Sequence, residues 1–161
     1  MGVLNDLAVP TSVAVSFDEI PSLKGRPFLG QWFAIEEEML ALFDRATYVD
    51  QNPYPYEAGL WPPGMVEGFH LLGVLDHLMN PLIRVTDEGA WAWNYGLDRV
   101  RFVSPVRAGE RIRLRGVVSD VRTRGEGFLV KSDCVVEIEG RDRPGFIAEF
   151  WGYWLRASAA V

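Results

Sequence analysis

Stepping about 100° per residue from Glu67 puts Gly68, Leu71, Leu72, Val74, Leu75, Leu78 and Met79 on one wide arc. Phe69, Gly73, Asp76 and His77 fall on the other side. The spacing predicts a helix over about residues 65–79, entered through the tight Trp61-Pro62-Pro63-Gly64 approach and punctuated by Asn80-Pro81. Its apolar arc is wider than a surface helix needs, so something large is expected to wrap it. Downstream the period changes to two. Trp91, Trp93 and Tyr95 alternate within 90–106, and Arg111 to Val121 alternates arginine with Ile112 and Leu114. Phe128 to Glu139 is the next strand, and Phe146 to Leu155, apolar on both faces, reads as a central one. Upstream, Phe28 to Ile35 reads as a short strand and Glu36 to Ala46 as a small helix with Met39, Leu40, Leu42 and Phe43 on its apolar side. Residues 48–63, rich in proline, form a loop, Leu82-Ile83 a further short turn, and residues 1–20 a weakly patterned surface stretch. Three long strands after a buried helix define an α+β arrangement, an antiparallel sheet curled around that helix.

Length and composition narrow this picture. The 161 residues hold one domain with a real core, and an aromatic share of 12% predicts a densely filled core or a roomy apolar pocket. No apolar run approaches a membrane span, and no basic segment of a secretory signal opens the chain. The single cysteine, Cys134, excludes an internal disulfide and fits a reducing, cytoplasmic setting. Net charge is −6, which argues against nonspecific nucleic-acid binding. The charge is uneven: residues 1–98 carry 4 basic and 14 acidic side chains, residues 99–161 carry 12 and 8. The basic half is either a solvated strand face or a surface for a phosphorylated small molecule.

The order of segments carries a resemblance. Asp50-Gln51-Asn52-Pro53 precedes the main helix, which opens Val66-Glu67-Gly68-Phe69. Then follows Asn94-Tyr95-Gly96-Leu97-Asp98-Arg99-Val100-Arg101-Phe102, and after it Pro105-Val106 and Gly109. The chain resembles a MaoC-like dehydratase domain, near the nodulation protein N-like branch, over about residues 17–157. The resemblance implies a single hotdog domain and sites near the interface of a dimer. It also implies acyl thioesters of coenzyme A or acyl carrier protein as substrates, with no other cofactor. The implied activity is (R)-specific hydration of a trans-2-enoyl thioester or the reverse dehydration. The family's Asp-x-Asn-Pro-x-His motif reads here Asp50-Gln51-Asn52-Pro53-Tyr54-Pro55, with Pro55 at the histidine position. The helix that usually opens His-Gly-Phe opens Glu67-Gly68-Phe69, after a segment several residues shorter than the family's.

Hydrating a conjugated thioester needs a base for water, an acid for the α-carbon and a donor for the enolate oxygen. By resemblance the donor is the Gly68 N–H at the helix start, where free N–H groups point outward; close helix–sheet packing explains the glycine equally well. Asp50 is either a catalytic carboxylate or a turn cap. Asn52 positions water or holds the loop. Glu67 is an acid–base partner to Asp50, the carboxylate of a thioesterase, or a helix-end charge. His70, one turn on, either replaces the missing imidazole or packs in the core. Tyr54 and Tyr56 line an acyl pocket or pack the loop. His77 reads as structural, and seven residues separate it from His70, too far for an i, i+4 metal pair. Three functions remain open: an enoyl-thioester hydratase or dehydratase, a non-catalytic acyl-CoA-binding subunit of a heteromer, and a hotdog thioesterase using Glu67.

Overall fold

The computed structural model describes residues 9–51 and 62–156. Four long strands dominate: β5 (Ala90–Phe102), β6 (Arg111–Arg124), β7 (Gly127–Ile138) and β8 (Phe146–Arg156). The period-two patterning of β6 and β7 buries alternate residues on one face, Ile112, Leu114 and Val118 from β6 and Val130, Cys134 and Val136 from β7. Glycines at positive φ turn the chain between them, Gly125 (φ 54) between β6 and β7 and Gly140 (φ 72) between β7 and β8. The order is β6-β7-β8-β5, all antiparallel, with β2 (Pro27–Leu29) and β3 (Phe33–Ala34) sharing the outer side of β6.

The strand expected over Phe28–Ile35 is thus broken. Leu29 pairs with Arg115 and Phe33 with Ile112, so one residue too many lies between them, a bulge centred on the Gly30-Gln31-Trp32 stretch. Gly116 faces Phe28 across this pair. A Cβ there would lie 2.4 Å from the Phe28 ring and 2.5 Å from the Asp133 carbonyl, so only glycine fits.

Helix α2 (Gly68–Met79) lies on the inner face of the sheet. It buries Leu71, Leu75, Leu78 and Met79 in one cluster with Leu114, Val118, Cys134, Val136, Phe146 and Ala148, and it also buries His70. It begins at Gly68 rather than near residue 65, leaving Glu67 as its cap. Wrapping is one-sided: Phe69 is 76% exposed.

The first twenty residues differ most from expectation. β1 (Val13–Val15) pairs in parallel with β4 (Ile83–Val85), which replaces the turn expected at Leu82-Ile83. A 3-10 helix over Phe17–Leu23 then buries Phe17, Ile20 and Leu23. These sit three apart, the spacing that a 3-10 helix stacks on one side. The Phe17 N–H donates to Asp87 (2.7 Å), tying this segment to the chain just before β5.

The arginines of β6 lie on the outer face and meet acids across the ladder. Arg113 and Arg115 reach Glu137 (2.7 and 2.8 Å), and Lys131 of β7 reaches Glu149 of β8 (2.7 Å). These paired charges cross the ladder on the outer face and are largely covered by one another rather than solvated.

Candidate active site

Three segments converge at the start of α2. The first is the approach to the helix. Gly64 turns at φ 72, the buried Val66 donates its N–H to the Val106 carbonyl (2.9 Å), and Met65 bridges to Arg107. The backbone therefore arrives at Glu67 already fixed by the β5–β6 connection. The Glu67 carbonyl accepts from the Leu71 N–H (3.0 Å), and its extended ψ of 150° is that of a cap.

The second segment is the end of β5. A bulge lies between Asp98 and Arg101, with Arg99 in the left-handed region at φ 50. It brings Phe102 opposite the buried Phe146, so the Phe102 ring lies on the inner face. There it covers the first turn of α2. A Cβ on Gly68 would lie 2.7 Å from the ring. The close-packing explanation of Gly68 thus has a named partner. A cavity of about 270 Å³ opens beside it, lined by Met65, Val66, Gly68, Leu71, Phe102 and 103–106. A larger cavity of about 720 Å³ lies at the other end of α2, beside His77, Trp32 and Phe33; neither cavity has a carboxylate in its lining. The smaller one lies at the start of the helix, where free N–H groups point outward.

The third segment is α1 (Glu38–Ala46). It buries no residue fully; Leu40 packs on the core, whereas Met39 and Leu42, expected on its apolar side, are exposed. Phe43 stacks face to face on His70, with centroids 4.4 Å apart and planes 5° from parallel. Asp44 follows it. Burial pushes the His70 imidazole below its ordinary value, and the Asp44 charge partly offsets this. Burial raises the Glu67 carboxyl, and the like charge of Asp44 raises it further.

The structure therefore groups Glu67 and His70 with Phe43 and Asp44, and Gly68 with Phe102 and the cavity. Asp50 stands apart. It is exposed, in a 3-10 turn over Val49–Gln51, and among the described residues no hydrogen bond or ion pair joins it to Glu67 or His70. Asn52, Tyr54, Pro55 and Tyr56 lie outside the described residues. Asp44 and Phe102 escaped sequence reasoning. Phe102 stood in the Val-Arg-Phe stretch that carries the resemblance, which was the available signal; Asp44 offered only its place on an acid-rich helix. Cys134 is buried, and burial pushes its thiol well up, the behaviour of an inert core residue. Among the described residues no group of three or more His, Cys, Asp or Glu could hold a metal ion, and no helix is long and apolar enough to cross a membrane.

A sheet of this strand order curved over one helix is the hotdog architecture. The MaoC-like dehydratase from Rhodospirillum rubrum superposes with a TM-score of 0.64 at 13% identity, over 88% of this chain and 97% of that one. No family model matches the sequence. Individual relatives do. Nodulation protein N of Rhizobium leguminosarum bv. viciae is 33% identical over 143 residues, 84% of this chain and 89% of that protein. The 3-hydroxyacyl-thioester dehydratase Z of Mycobacterium tuberculosis H37Rv is 32% identical over 123 residues, 73% of this chain and 81% of that protein. The chain belongs to the MaoC-like dehydratase family, on the branch of nodulation protein N.

Proposed function

We propose that the protein is a hydro-lyase that adds water to an enoyl thioester, or removes it from a 3-hydroxyacyl thioester. One observation carries this beyond kinship. A buried histidine pushed down and a carboxyl pushed up stand one helical turn apart at the start of the central helix. In hydration the water oxygen bonds to the β-carbon and gives one proton to the basic member of the pair. The acidic member delivers a proton to the α-carbon as the enolate collapses. The Gly68 N–H holds the thioester oxygen, once the Phe102 ring makes room for it. Asp50, Asn52, Tyr54 and Tyr56 are assigned to water and acyl-chain positioning, the acyl carrier being coenzyme A or acyl carrier protein. A second copy, or a related hotdog subunit, pairs along the free edge of β5, where Trp93 and Tyr95 are exposed.

The test is loss of enoyl-thioester absorbance across chain lengths and ring-bearing substrates. Glu67→Gln and His70→Phe should each slow turnover by about 10²-fold or more. Binding without turnover would replace this proposal with that of an acyl-binding subunit. Thiol release abolished by Glu67→Gln would replace it with that of a thioesterase.

A further inference from the structure

We propose that Asp44 is a positioning residue of this site, an anion that α1 sets beside Glu67 and His70 by seating Phe43 on the imidazole face. The inference rests on the acid–base pairing of Glu67 and His70 proposed above.

The geometry favours a dedicated role. α1 buries no residue fully, so a ring stack at 4.4 Å and 5° is its most intimate contact with α2. That stack fixes the second turn of α1, and Asp44 within it. Asp44 is half-buried and has no cation partner among the described residues, which leaves its charge uncompensated. Arg45, the next residue, is exposed, and no ion pair among the described residues joins it to Asp44. Among the described residues Asp44 is the charge that acts on both members of the pair.

Its action on the two has the same sign. A nearby anion makes a proton harder to remove from either group. In the proposed mechanism one group takes a proton and the other gives one, so the active range lies between their two titrations. Asp44 therefore displaces both limits toward higher pH together. A residue that merely packed would change amplitude and leave the limits in place.

The experiment is NMR titration of the His70 ring and the Glu67 carboxyl in the whole protein, with the pH profile of kcat/KM alongside. In Asp44→Asn both titrations should fall, and both limbs of the profile should move to lower pH. Asp44→Glu, which keeps the charge, should restore both. Phe43→Leu exposes the imidazole, so His70 should rise, opposite in sign to Asp44→Asn. The proposal is overturned if either titration in Asp44→Asn stays fixed or rises, or if Asp44→Glu behaves as the amide does. The titrations need no substrate. If they move in a protein that hydrates nothing, the Asp44 assignment stands and the hydratase proposal falls. If hydration is present and they stay still, the reverse holds.

Discussion

Gly68→Ala separates the two explanations of the glycine that opens α2. The added Cβ would meet the Phe102 ring at 2.7, 2.8 and 3.1 Å, where ordinary contact begins near 3.4 Å. Relief comes by tilting the ring. Phe102 is 50% exposed, so it can move outward, but it then loosens its packing at 6.0 Å from Phe146, which is fully buried. Overpacking costs about 1–3 kcal/mol, and a movable ring places this case in the lower half. Alanine's better helix propensity offsets up to about 0.5–1 kcal/mol of it, less at a helix end. The net expectation is a loss of about 1 kcal/mol, a fall in Tm of roughly 2–4 °C for a chain of this size. Urea and thermal unfolding measure it. The double variant Gly68→Ala/Phe102→Leu removes most of the clash, so its loss should fall short of the summed single losses by about 0.5 kcal/mol or more. Equal or higher stability in Gly68→Ala, or strictly additive losses in the double variant, would refute the packing argument. Activity then divides the roles. If Gly68 only accommodates Phe102, the double variant recovers turnover along with stability. If the thioester must also approach the Gly68 N–H, stability returns and turnover does not.

Gly116→Ala should be worse than Gly68→Ala, by about 3 kcal/mol or more, because its Cβ meets a main-chain carbonyl and a buried ring that cannot move aside. Asp50→Asn, read against Asp44→Asn, should leave the His70 and Glu67 titrations in place in the substrate-free protein, since Asp50 is exposed and unlinked to either; a shift matching that of Asp44→Asn would remove the distinction. Asp120, hydrogen-bonded by Lys24 and then Arg122, titrates at about 2; Lys24→Met should raise it. Its depressed value means that its contribution to stability is full above the ordinary carboxylate range and is lost as pH falls through about 2, which acid unfolding of the two proteins would show. If copies pair along the free edge of β5 as proposed, Trp93→Lys should leave only monomer in sedimentation without lowering Tm at low concentration.

The parts of the fold legible in the sequence are those whose information is local. The strands β6 and β7 follow from period-two patterning between turns, β8 from a run apolar on both faces, and α2 from its helical arc. The N-terminal segment was not legible because its order comes from non-local pairing. β1 takes its place only against β4, some seventy residues on, as Val13 pairs with Ile83. The period of three in Phe17, Ile20 and Leu23 matches neither the strand nor the α-helix template.

The same division runs through the candidate site and bears on the altered motif. Glu67, Gly68 and His70 were readable because three residues of one helix turn are neighbours whatever surrounds them. Asp44 and Phe102 reach that turn from α1 and from a bulged edge strand, and no spacing rule joins them to it. A site that needs one proton divided between an imidazole and a carboxyl does not need a particular residue at Pro55. It needs a dry imidazole, a carboxyl raised toward it, and a charge that sets where the pair titrates. Burial under Phe43 supplies the first, burial beside Asp44 the second, and Asp44 itself the third. In the proposed mechanism the chemistry thus moves from the loop that follows Asp50 to the crossing of α1 over α2. The contrast between Asp44→Asn and Asp50→Asn is therefore the decisive comparison. Turnover lost only in the second would return the chemistry to the loop.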